Sequence, residues 1–318
     1  MGLGYHLVEA LIRESLFKPI DGDVVMIGRQ TVYFTPAQFV ALLQSHGVET
    51  GSLRPEHVHV DSQTLNRLPG EGESWMADTE LFRILGAKRV LALDHSAYEG
   101  ADIIHDLTKP VPDRLRGCAD FVIDGSTLDN TFDPALALRN YCELLRPGGR
   151  LLAGNMYSNH NLPYVILPPH WYIDYFAMNN FVDCKVYVIV FSDHRPENLL
   201  AAQEEASVFT PDFDALAADG SFVNNFMSPH MMATIVFAEK GPDSTTDVSP
   251  IQQPYRSAHD WGIYRRSLRK MQRSARHHLV RTLGELQFRE GTGGYLIMAE
   301  DFSTLDRLPE PRAAPAAP

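Results

Sequence analysis

Three aspartates close three apolar runs in the first half of the chain. Asp94 ends Arg89–Asp94, Asp106 ends Ala101–Asp106, and Asp124 follows Ala119–Ile123 and opens Asp124-Gly125-Ser126. Unbroken apolar stretches such as Val90-Leu91-Ala92-Leu93 suit parallel strands covered on both faces. In open parallel sheets, ligands bind outside the carboxyl ends of the strands. Asp94 and Asp106 are therefore expected to face one crevice, where a carboxylate can accept hydrogen bonds from ligand hydroxyls. The competing reading of each is a turn or helix-capping acid, a common task for Asp.

The elements needed to hold these groups alternate along the chain. A helix is expected over 5–17, then a strand over Val24–Ile27 leading into Gly28-Arg29-Gln30. Thr35, Pro36 and Gln38 form a helix start with a capping box. Residues 48–77 decay into Gly, Pro, Glu and His and read as an insertion or lid with a short strand at His57–Val60. Asp78 caps a helix through Leu85. Helices follow from Asp133-Pro134 to Leu145 and near Pro196–Ala206, with strands from Arg150, over Cys184–Phe191 and over Met232–Ala238. Alternating strands and helices predict an α/β, doubly wound, Rossmann-like, mostly parallel seven-stranded sheet with a helical C-terminal extension. The expected division is 1–240 as the Rossmann domain and 241–307 as linker, basic amphipathic helix (261–287) and short strand (295–299). Residues 308–318 are expected to be a disordered tail.

Leu145-Arg146-Pro147-Gly148-Gly149-Arg150-Leu151-Leu152, placed after the fourth strand's helix, resembles the "LxPGG" turn of class I S-adenosylmethionine-dependent methyltransferases. The resemblance covers roughly residues 10–240. It implies S-adenosylmethionine as cofactor, with Asp94 on the ribose hydroxyls, His95 beside it, Asp106 and Leu107 flanking the adenine, and Asp124, Gly125 and Ser126 opening onto the methyl-transfer position. Asp129-Asn130 stand where the family usually has Glu-His. The family's glycine-rich loop is reduced here to Gly28-Arg29-Gln30, with one glycine for close backbone approach. Arg29 either pairs with the methionine carboxylate, or Arg29 and Gln30 fill the pocket.

With that cofactor, acceptor-side candidates come from the aromatic segment after residue 155: Tyr157, His160 and His170, with Trp171 and Tyr172. Imidazole titrates near neutrality and can serve as a base, and aromatic faces can surround a cation. The alternative for His170 is a place in the helix that follows Pro168-Pro169. The function expected is methyl transfer to an O or N atom of a small-molecule or saccharide-type metabolite. The alternatives are a catalytically inactive binding or scaffolding protein, or another nucleotide-cofactor enzyme on the same fold. The last is disfavoured, because no Gly-x-Gly-x-x-Gly follows the first strand.

The 318 residues carry 44% hydrophobic and 21% charged side chains, ordinary for a globular protein. A net charge of −12 speaks against a general nucleic-acid surface, although residues 261–281 hold Arg and Lys and no acid. Three scattered cysteines, no paired Cys or His ligand spacing, and no long apolar run lead to an expectation of a cytoplasmic protein. By the same features it has no metal and no membrane partner, and could form a homo-oligomer. No Gly-x-Ser-x-Gly elbow supports a hydrolase.

Overall fold

The computed structural model describes residues 2–61, 74–157, 163–191, 206–211, 231–282, 286–287 and 296–299. Most of the expected helix near 196–206, His160, residues 62–73 of the insertion and the tail lie outside them. The described strands are β1 (Gly2–Leu3), β2 (Gly22–Ile27), β3 (Thr31–Val32), β4 (Ala87–Asp94), β5 (Ile103–Ile104), β6 (Ala119–Gly125), β7 (Leu145–Met156), β8 (Asp183–Phe191), β9 (Ala206–Pro211), β10 (Met232–Glu239), β11 (Leu286–Gln287) and β12 (Leu296–Ala299). The helices are α1 (Tyr5–Phe17), α2 (Pro36–Ser45), α3 (Asp78–Ile84), α4 (Pro134–Leu144), α5 (Pro169–Met178) and α6 (Ala258–Thr282).

One sheet runs β11-β12-β9-β8-β10-β7-β6-β2-β4-β5. Its segment from β8 to β5 is the expected seven-stranded, mostly parallel sheet: β5, β4, β2, β6 and β7 are parallel, and β10 is antiparallel to both β7 and β8. From the central β2 the chain winds outward to β4 and β5, then returns to β6 and continues to β7 on the other side. The strand order thus reverses between β2 and β6, which is where ligand crevices open in such sheets.

Period-two alternation assigns the core. Val24 and Met26 face a layer holding Leu11 and Phe39, whereas Val25 and Ile27 face one holding Tyr141 and Phe176. Helices α1–α3 therefore cover one face and α4–α6 the other. The capping box of α2 and the Asp133 cap of α4 form as expected. The Pro147-Gly148-Gly149 turn lies within β7, where the register with β6 shifts, and Gly148 has φ +84°. Tyr264, Leu268 and Met271 of α6 are buried, and α6 packs on α5 and β8.

Several expectations are corrected. The strand expected over 101–106 is only Ile103–Ile104 and stops before Asp106. No α-helix separates β4 from β5 or β5 from β6. His57 lies in a short 3₁₀ turn, and among the described residues nearby a Val60–Met76 bridge takes the place of the expected strand. The basic helix ends at Thr282, and Leu286 belongs to β11. Among the described residues, no helix is long and apolar enough to cross a membrane.

Candidate functional site

The register brings the expected residues to one edge. Ile27 pairs with Leu93 and Met26 with Ile123, so Gly28 just after β2, Asp94 at the end of β4 and Asp124 near the end of β6 lie at the carboxyl end of adjacent strands. Neighbouring strands lie about 4.8 Å apart, so the three positions share one short row.

Within that row the side chains have different tasks. Asp94 is partly exposed; it accepts from the Ser96 N–H (3.3 Å), and His95 Nδ1 lies 2.8 Å from its Oδ1. Asp94 has acceptor capacity left for ligand hydroxyls. Asp106 is exposed and accepts from the N–H and hydroxyl of Thr108 (2.9 and 2.7 Å), which hold its carboxyl below the usual range. It acts as a turn acid, the competing reading, and Leu107 leans on the core beside it.

Gly28 has φ +70°, and its N–H donates to the Leu93 carbonyl (2.7 Å), closing the turn after β2. Arg29 is engaged within the protein. It donates to both oxygens of Asp78 (2.7 and 2.8 Å) and to the Glu99 carbonyl (3.4 Å), and the Asp78 carboxylate raises its pKa further. Asp78, expected only as a helix cap, is 1% exposed and also accepts from the Gln30 N–H. Gln30 is itself buried. Its Nε2 donates to the Ile27 and Gly28 carbonyls, while Oε1 is buried without a partner. A Cβ at Gly125 would collide with that oxygen and approach Leu3 and the Gly2 carbonyl, so this glycine permits the close packing.

Asp124 does not face the crevice. It is fully buried and accepts from the Thr127 and Leu128 N–H groups (2.5 and 3.1 Å), shaping the loop after β6. Burial pushes its carboxyl up to about 7, against those N–H donors, with the neighbouring Asp129 charge adding to the rise. A folded-state pKa above the unfolded value means that the folded protein holds a proton that the unfolded chain releases. The stabilising contribution is complete below about 3.8 and is lost as pH rises through about 7. Asp124→Ser keeps one acceptor and should flatten the fall in unfolding free energy between pH 4 and 7, measured by urea titration. An unchanged slope would remove Asp124 as its source.

A cavity of about 540 Å³ adjoins this edge at the ends of β6 and β7, under the start of α1. Its wall includes Tyr5, His6, Tyr33, Ser126, Asn155 and Phe191. Ser126 has φ +77°, rare for a residue with a side chain. Its hydroxyl donates to Asp129 (2.9 Å to Oδ1), whose carboxylate also accepts from the Met156 N–H (3.0 Å) and Asn130 Nδ2 (3.1 Å). Burial pushes Asp129 up despite these donors.

Other expected acceptor residues lie elsewhere. His170 stands on α5 near Asp174 and Arg256, and burial lowers its pKa; it is absent from the cavity wall. Tyr157 packs on the α4–α5 side of the core, next to Met156, which does line the cavity. Sequence reasoning did not single out His6, which lines the cavity.

No family model matches this chain, and no curated protein matches it. Solved structures that are similar include an N-methyltransferase of Burkholderia thailandensis with bound 1,6-didemethyltoxoflavin and S-adenosylhomocysteine. It is 12% identical, covers 73% of this chain and 76% of its own, and has a TM-score of 0.31. A Thermotoga maritima S-adenosylmethionine-dependent methyltransferase, described as a possible histamine N-methyltransferase, is 16% identical over 74% and 93%, TM-score 0.31. A putative zinc-dependent alcohol dehydrogenase of Rhodobacter sphaeroides is 13% identical over 91% and 86%, TM-score 0.27. The strand order and the position of the cavity, rather than these distant likenesses, define the fold and the site.

Proposed function

We propose that this protein transfers a methyl group from S-adenosylmethionine to an O or N atom of a small molecule held in the 540 Å³ cavity. The observation that carries this reading is the cavity's position, against the ends of β6 and β7 and beside the point where the strand order reverses. Asp94 would accept from the ribose hydroxyls, and the partnerless Gln30 Oε1 would accept from the ligand's ammonium group. An unsatisfied buried acceptor costs about 1–3 kcal/mol, so such a donor would relieve it. The cofactor supplies an electrophilic methyl group; the chain binds and orients the acceptor and keeps water from it.

A second reading, binding without methyl transfer, is favoured by one observation. Gln30 and Leu3 occupy the hollow over Gly125, and Arg29 is committed to Asp78. Calorimetric titration separates the two. S-adenosylmethionine should bind the wild type, and Asp94→Ala should weaken it about tenfold or more, the loss of charged hydrogen bonds to two hydroxyls. No heat at millimolar ligand would leave the second reading standing. Binding that Asp94→Ala does not weaken would take the ribose contact away from Asp94.

A further inference from the structure

We propose that Ser126, its hydroxyl aimed by Asp129, is the contact that selects the molecule in the cavity, and that this molecule carries an amine. This rests on the proposed methyl transfer and narrows its acceptor atom to nitrogen. The first observation is the backbone of Ser126. It stands in the cavity wall with φ +77°, in the left-handed region where a side chain brings strain. Glycine occupies that conformation freely, so the serine is kept at a cost in stability, as strained residues at functional sites are. What serine adds over glycine here is a hydroxyl, and it donates to Asp129 (2.9 Å to Oδ1 and 3.2 Å to Oδ2).

The hydrogen bonds around Ser126 decide what a ligand can offer it. Its own proton is spent on Asp129, so Oγ has only acceptor capacity left. Asn130, also in the wall, donates its amide hydrogens to the Ser126 carbonyl (2.9 Å) and to Asp129 Oδ1 (3.1 Å). Those two bonds fix the amide's orientation and leave its Oδ1 as a second acceptor. Asp129 is held from several sides. Its carboxylate also accepts from the Met156 N–H (3.0 Å), and its own N–H donates to Asn155 Oδ1 (3.2 Å). Its carbonyl accepts from the Tyr164 and Val165 N–H groups (2.9 and 3.2 Å). A ligand group at Ser126 therefore has to donate a hydrogen bond, one hydroxyl away from a carboxylate. An amine donates and favours the negative charge; an alcohol only donates; an ether does neither. Leu7, Ile189, Phe191 and Ile235 line other parts of the wall, which suits an apolar body behind the amine. The amine nitrogen forms one N–C bond as the methyl's S–C bond breaks. Positive charge thereby passes from sulfur to nitrogen, beside Asp129, and the N–H proton leaves to water afterwards.

Three naphthalene probes test this by fluorescence titration at pH 7 without any methyl donor: 2-(aminomethyl)naphthalene, 2-naphthylmethanol and 2-(methoxymethyl)naphthalene. Wild type should bind the amine about tenfold tighter than the alcohol, and tighter still than the ether, as a charge-assisted hydrogen bond requires. Ser126→Gly and Ser126→Ala both remove the hydroxyl, and each should bind the amine about tenfold more weakly and prefer it little over the ether. The two variants differ in strain alone, so Ser126→Gly should unfold at a higher urea concentration than Ser126→Ala. An amine bound no better than the ether by wild type would overturn the proposal, and that measurement needs no variant to fold. Undiminished amine binding by either variant would overturn it as well, and a lower midpoint for Ser126→Gly than for Ser126→Ala would remove the strain from which it starts. If S-adenosylmethionine fails to bind while the amine preference and its dependence on Ser126 hold, only the methyl-transfer reading falls.

Discussion

Glu14→Ala should destabilise the protein by about 3–5 kcal/mol, the range found when one partner of a buried ion pair is removed. Glu14 sits near the end of α1, buried, with one oxygen accepting from Arg150 Nη1 (2.8 Å) and the other from Lys185 Nζ. Arg150 also donates to the Lys18 and Pro19 carbonyls (2.7 Å each), and Lys185 lies 3.5 Å from Asp183. The rings of Phe121 and Phe17 lie against the two cations, so water cannot replace the lost carboxylate. Truncation leaves Arg150 with the two carbonyls alone and Lys185 with the more distant Asp183. For a chain of this size the melting temperature should fall on the order of 10 °C. Glu14→Leu combined with Lys185→Met should recover much of the loss, because a packed apolar pair can substitute for a buried ionic one. A loss below about 1 kcal/mol for Glu14→Ala would mean that the cluster is hydrated in solution.

The same cluster has a pH signature opposite to that of Asp124. Burial raises the Glu14 carboxyl, but Lys185 and Arg150 outweigh it and hold the folded-state pKa below 4.5. Its stabilisation is therefore complete above the unfolded value and is lost as pH falls through the depressed folded one. The aspartates that burial raises, Asp124 to about 7, Asp183 to about 6 and Asp129, act in the other direction. Comparing each variant with wild type over the same pH range separates these contributions.

What the sequence disclosed follows from how local each signal is. Strand ends were legible because apolar runs stop abruptly at Asp94 and Asp124, and the caps of α2 and α4 are short-range hydrogen bonds. Which way those aspartates point was not. Asp94 is partly exposed, whereas Asp124 turns inward onto Thr127 and Leu128, and both end a strand in the same manner. Asp106 turned on two residues: Thr108 supplies a hydroxyl and an N–H that make a turn more favourable than a longer strand. The cavity needed long-range information, since α1, the loop after β6 and β10 meet there from three parts of the chain. His6 carried no motif, and its place in the cavity wall beside Phe191 follows only from the fold.

Asp78→Ala should produce the second large effect, and it joins stability to the site. Asp78 is 48 residues from Gln30, yet its carboxylate fixes the loop after β2 by accepting from Arg29 Nε and Nη2, the Gln30 N–H and the Thr79 N–H. Removing it leaves a half-buried guanidinium and a buried N–H without their acceptor, a loss of about 3–5 kcal/mol. Asp78→Asn should recover little, because the amide keeps the shape and removes the charge that Arg29 faces. The double variant Asp78→Leu with Arg29→Met should regain stability by removing both charges together, without restoring the acceptor for the Gln30 N–H. If the loop orients Gln30 Oε1 toward a ligand ammonium, that double variant should fold, as judged by its urea midpoint, and still bind S-adenosylmethionine about tenfold more weakly. Full affinity in a folded double variant would separate the loop from ligand binding and reduce Asp78 to a fastening between α3 and β2.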